Sequence, residues 1–132
     1  MRRLIAGIAA AMLLAMPAAS PAQAEEVSFA RQIVPILKRR CATCHLTGEE
    51  PGSMALHPRG AYGSIVNAPS EQAPLLRVAP GKPDESYLYH KLRGTQLEVE
   101  GKGEPMPLEK WPLPDSEIAL FRAWIEQGAR DN

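Results

Sequence analysis

Apolar positions recur at intervals of three and four in two stretches near opposite ends of the chain. Phe29, Ile33, Ile36 and Leu37, with Arg40 continuing the spacing, define one face of an amphipathic helix. Ser28, just before it, is a suitable N-cap. Pro35 interrupts the run, because a proline inside a helix removes one N–H and crowds the preceding turn. The pattern is satisfied by a short turn over 29–33 followed by a new helix with Pro35 in its first turn. In the second stretch Ile118, Phe121, Trp124 and Ile125 share a face, with Leu120 on its flank, which predicts a helix over 115–127. Glu117 falls in its first turn, where the helix end favours negative charge, and Gly128 suits its termination.

Between these stretches the pattern is weaker. Residues 46–60 are rich in Gly and Pro and predict a loop, 62–67 a short helix, and 78–86 a turn region. Asp84 is placed to cap a helix that begins at Glu85, carries Tyr87, Leu88, Lys91 and Leu92, and stops at Gly94. Residues 98–114 predict an extended loop. No alternation of period two marks a strand, and no internal repeat is present, so the pattern predicts an all-α fold.

The start of the chain changes the picture of where the protein resides. Arg2 and Arg3 precede an apolar run from Leu4 to Met16 that is short for a membrane span, and Ala22 and Ala24 form a small-x-small pattern. This predicts a cleaved export signal over 1–24 and a single domain over 25–132, in the periplasm, with no membrane span after cleavage. The 15 basic and 15 acidic residues of the whole chain balance, and losing Arg2 and Arg3 leaves a slight acidic excess. Lys38-Arg39-Arg40 is too short a basic block to track a phosphate backbone, so nucleic acid is not an expected partner.

Beyond the leader the large aromatics are Phe29, Tyr62, Tyr87, Tyr89, Trp111, Phe121 and Trp124, among many prolines and glycines. So few large side chains fill a core with difficulty, and a buried prosthetic group would help. The two cysteines, Cys41 and Cys44, are three residues apart, and His45 follows directly. A dithiol redox centre would place such a pair at the start of a helix in an α/β unit. A zinc site would need two further ligands, leaving His57 and His90 to serve. Covalent haem attachment uses all three residues, two thiols for the haem vinyl groups and the His45 imidazole for the iron. For the sixth iron position the candidates are Met106, Met54, His57 and His90. Met106 is favoured because Pro105 and Pro107 stiffen its loop and lower the cost of ordering a weak thioether ligand. Met54 is expected beside the group's edge, and His57 and His90 at the surface.

The sequence resembles class I cytochrome c, and more closely the bacterial domains of the planctomycete type. The resemblance rests on "IVPILKRRCATCH", "PGSMAL", "APGKPDESYLYHKL", "EPMP" and "LPDSEIALFRAWIEQGA", over residues 29 to 130. It departs where Ser53 and Met54 replace the usual Gly and Leu, where Leu108 replaces a second proline, and where Pro114 replaces a Ser or Thr cap. The resemblance implies an all-α fold around one covalent haem c, with N- and C-terminal helices crossing. It also implies Cys41, Cys44, His45 and Met106 as cofactor-binding residues, with His45 and Met106 on the iron. The expected function is a periplasmic electron carrier rather than an enzyme, passing single electrons between redox protein partners. The alternative is a haem subunit held permanently on a periplasmic oxidoreductase. A haem sensor or peroxidase would need an open sixth position. Ile36, Leu37, Leu92, Trp124 and Ile125 are expected to form a dry pocket, and the His45 ring to donate to a carbonyl near Pro51 or Gly52.

Overall fold

In the computed structural model residues 24–132 are described, so the expected export signal lies outside the described residues except for its last position. Helix α1 spans Val34–Arg40, α2 Ala61–Ile65, α3 Tyr87–Arg93 and α4 Asp115–Glu126. Short helical turns at Phe29–Ile33, Pro83–Glu85 and Gln96–Val99 complete the order. Pairing of extended backbone is limited, among the described residues, to isolated bridges linking 66 with 78, 69 with 76 and 76 with 86. The described residues therefore form an all-α, sheet-free fold.

Pro35 explains the start of the chain's first helical stretch. Residues 29–33 form a wide π-type turn, closed by the Val34 N–H donating to the Phe29 carbonyl. Pro35 then sits in the first turn of α1, where its missing N–H costs nothing. The Ser28 hydroxyl accepts from the Arg31 N–H at 3.3 Å.

The two ends of the chain pack together, and the contact to α4 is made chiefly by the 29–33 turn that precedes α1 rather than by α1 itself. Phe29 stacks on Trp124 with ring centroids 5.0 Å apart and meets Tyr62 edge-on at 5.3 Å. Ile33, Leu37, Phe121 and Ile125 join the same buried cluster. Polar contacts fix the register. Glu117 in the first turn of α4 lies 3.3 Å from Arg39 and 3.4 Å from Arg40 at the end of α1. The Tyr62 hydroxyl donates to the Ala129 carbonyl at 2.9 Å. Pro114 brings no hydroxyl cap, and its carbonyl accepts from Glu117 N–H and Ile118 N–H instead.

Helix α3 begins later than the sequence predicts. Residues 83–85 wind into a separate 3₁₀ turn, and Asp84 caps nothing. Ser86 is fully buried, donates to the Lys82 carbonyl at 2.8 Å and accepts from the Ala79 N–H at 2.9 Å. That demand fixes the chain at 86 and starts the helix at Tyr87. Gly94 ends α3 in the left-handed region (φ 72°), as its lack of a Cβ allows. The 95–114 segment then returns across the end of α1.

Candidate functional site

Helix α1 stops at Cys41, and the chain turns at once. The N–H groups of Cys44 and His45 both donate to the Cys41 carbonyl at 3.1 Å, and the His45 carbonyl accepts from the Leu56 N–H at 2.9 Å. This turn puts two thiols and an imidazole on one wall of a cavity of about 330 Å3. Met54 and Leu56 extend that wall. Helix α3 supplies Tyr87, Leu88, Lys91 and Leu92, and the 95–114 segment supplies Met106, Pro107 and Leu108. The lining is mostly apolar.

The cavity therefore gathers Cys41, Cys44, His45 and Met106, residues some sixty positions apart in the chain, and Met54 with them. Of the expected dry-pocket residues only Leu92 lines it. Ile36, Leu37, Trp124 and Ile125 are buried in the core instead. His57 does not line it. His90, expected at the surface, is buried, with one ring nitrogen 2.8 Å from Thr95 Oγ1 and the other 2.9 Å from the Asp84 carbonyl. Among the contributors that escaped the sequence reading are Tyr87, Lys91 and Arg77. Arg77 spans the floor, donating to the carbonyls of Ser64 and Gly52 at 2.7 Å each.

Burial sets the chemistry of these groups. Desolvation, with a smaller contribution from neighbouring Cys44, pushes the Cys41 thiol up to about 11. At neutral pH it is a thiol rather than a thiolate, and a poor nucleophile. Cys44 is exposed, and both cysteines are free. Desolvation likewise holds His45 below its ordinary range, against a smaller opposing pull from Glu50. The Pro51 carbonyl exerts a further upward pull on His45, but the buried Nδ1 has no hydrogen-bond partner, so the expected donation to a carbonyl near Pro51 or Gly52 is not made by that nitrogen. In protein with free thiols, Cys41 should alkylate with iodoacetamide at pH 8 roughly two orders of magnitude slower than an ordinary exposed thiol. Peptide mapping over a time course checks this, and equal labelling of the two cysteines would contradict it.

No family model matches the chain, and no solved structure matches it. It is 33% identical over 106 residues to Ribonuclease Le2 of Lentinula edodes, an alignment covering 78% of this chain and 44% of that protein. The chain thus spans less than half the length of that relative. Among the described residues, no helix is long and apolar enough to cross a membrane.

The expectation built on the Cys41–Cys44–His45 spacing is corrected here. Among the described residues no group of three or more His, Cys, Asp or Glu side chains is arranged to hold a metal ion. Cys41, Cys44 and His45 share a turn without converging on one point, and no acidic side chain completes a set. Met106 brings a thioether, a donor type outside such a group. Membership of class I cytochrome c, the covalent haem c, iron between His45 and Met106, and the electron-carrying role, free or as an oxidoreductase subunit, are withdrawn on that ground. The spacing itself and the cavity it opens on remain.

Proposed function

We propose that this domain is a non-enzymatic binding module for an apolar small molecule, seated against Cys41, Cys44, His45 and Met106. The observation that supports the reading is the cavity: about 330 Å3, its exposed wall surface largely apolar, with polar and charged side chains at intervals around it. Small-molecule pockets commonly occupy roughly 300–1,000 Å3 with this kind of lining. A protonated Cys41 and a neutral His45 suit an uncharged ligand better than an anion. We also propose that residues 25–132 act as one domain outside the cytoplasm, which rests on the leader pattern at 1–24.

RNA cleavage, suggested by the name of the Lentinula protein, finds less support in these residues. Acid–base cleavage of a phosphodiester needs two titratable groups facing each other across the bond. Glu71, Lys91, Glu109 and Lys110 line the cavity with His45, but among the described residues no hydrogen bond joins any of them to the imidazole, and His90 is engaged elsewhere.

The test is a titration with Nile red, a neutral apolar dye, alongside a fluorescent oligoribonucleotide. Saturable one-to-one dye binding with Kd on the order of 1 μM, about −8 kcal/mol, is expected, together with intact RNA. Met106→Asp, which sets a carboxylate on the apolar wall, should weaken the dye at least tenfold. Unsaturable dye uptake, or RNA cleavage abolished by His45→Ala, would overturn the reading. Denaturing mass spectrometry of protein purified from an exporting host adds a further arm. A haem retained covalently on Cys41 and Cys44 would overturn the binding-module reading.

A further inference from the structure

We propose that Lys91 is a positioning residue, whose buried ammonium pins residues 102–104 across the cavity and so delivers Met106 to its wall. This rests on the cavity being a binding site. The segment Gly101-Lys102-Gly103-Glu104 has two glycines, no helical or extended pairing of its own and no apolar anchor. Its shape comes from α3 and the turn that follows. Lys91 Nζ donates to the Lys102 carbonyl at 2.8 Å and to the Glu104 carbonyl at 2.9 Å. The Tyr87 hydroxyl donates to the Lys102 carbonyl at 2.7 Å, and Gln96 Nε2 to the Gly103 carbonyl at 3.0 Å. Two residues further on, the Met106 N–H donates to the Lys91 carbonyl at 2.9 Å.

The chemistry of these donors is unusual for mere packing. Tyr87, Lys91 and Gln96 are only 4%, 6% and 4% exposed. No carboxylate pairs with the Lys91 ammonium among the described residues, and it lies 5.4 Å from the centre of the Tyr87 ring. Burying a cation is costly, and burial lowers the affinity of Lys91 for its proton, against a smaller opposing pull from the Glu104 carboxylate. An apolar residue at 91 would fill the space more cheaply but would leave the Glu104 carbonyl unpaired and the Lys102 carbonyl held by Tyr87 alone. Lys91 lines the same cavity as Met106, so the cation shapes the cavity from within.

The experiment compares wild type, Lys91→Met, Lys91→Arg and Ile33→Val by Nile red titration and by amide hydrogen exchange. Ile33 lies in the core cluster with Phe121 and Trp124 and does not line the cavity, so its variant reports general loosening. Lys91→Met should weaken dye binding at least tenfold and speed exchange at Gly103, Glu104 and Met106, with α4 unchanged. Lys91→Arg, which keeps donors for both carbonyls, should recover most of the affinity. The proposal fails if Lys91→Met binds within twofold of wild type, or if Ile33→Val loses as much. Should Lys91→Met not fold, an Arg variant with wild-type stability but a freely exchanging 102–106 loop would equally overturn it. If wild type itself does not bind the dye, the binding reading fails, while the exchange contrast still reports on the clamp.

Discussion

Trp124→Ala is expected to cost about 3–5 kcal/mol of folding stability, the usual range for emptying a large aromatic site. Trp124 is 1% exposed and stacks on Phe29, which in turn meets Tyr62. Its indole N–H donates to the Arg130 carbonyl at 2.9 Å, an acceptor that alanine would orphan. The loss also loosens the junction of the 29–33 turn with α4, the contact that brings the chain's two apolar stretches together. Small domains hold about 5–15 kcal/mol in total, so much of the fold's margin rests on this one side chain. Urea denaturation measures the effect. A loss under about 1 kcal/mol would mean the site collapses around the void, and that the aromatic stack is not what joins the two ends.

The elements most legible in the sequence were those where burial alone decides the spacing. Phe121, Trp124 and Ile125 announced α4 because one of its faces is buried against a single core. Pro35 announced the break between turn and helix because its missing N–H leaves few solutions. The start of α3 was misplaced because Ser86 spends its hydroxyl on Lys82 and Ala79, a tertiary demand that outweighs the capping preference of Asp84. His90 reads as a surface residue in the sequence because its partners, Thr95 and the Asp84 carbonyl, are assembled only when the chain turns at both ends of α3.

The site shows the same division. Cys41, Cys44 and His45 were visible as a motif, and Met106 stood out between prolines, and the fold does gather all four on one cavity. Periodicity marks which side chains are buried but not in which compartment. Ile36, Leu37, Trp124 and Ile125 therefore read as pocket when they are core. The burial of Lys91 was invisible because a lysine on a helix is solvated by default, and here it depends on carbonyls eleven and thirteen residues away. Spacing identified reactive groups at the cavity without deciding what occupies it.

Gly101→Ala should be the most damaging small substitution, lowering stability by about 1–3 kcal/mol or more and emptying the cavity of its Met106 wall. Gly101 is buried, and its N–H donates to the Gln96 carbonyl at 2.9 Å. A Cβ there would stand 2.7 Å from the Tyr87 hydroxyl oxygen and would press on both the Tyr87 ring and the Gln96 carbonyl oxygen. Neither neighbour yields cheaply. The carbonyl is backbone, and the ring is buried with its hydroxyl bonded to Lys102. The chain must instead move residues 101–104 away from α3, which lengthens both Lys91 bonds and the Gln96 bond to Gly103. Stability and access to the cavity should therefore change together, unlike the separation expected for Ile33→Val. Thermal unfolding with Nile red titration on the same preparation checks this. A Gly101→Ala protein with native stability and native dye affinity would show that the loop has room to shift, and that its close approach to α3 does not shape the cavity.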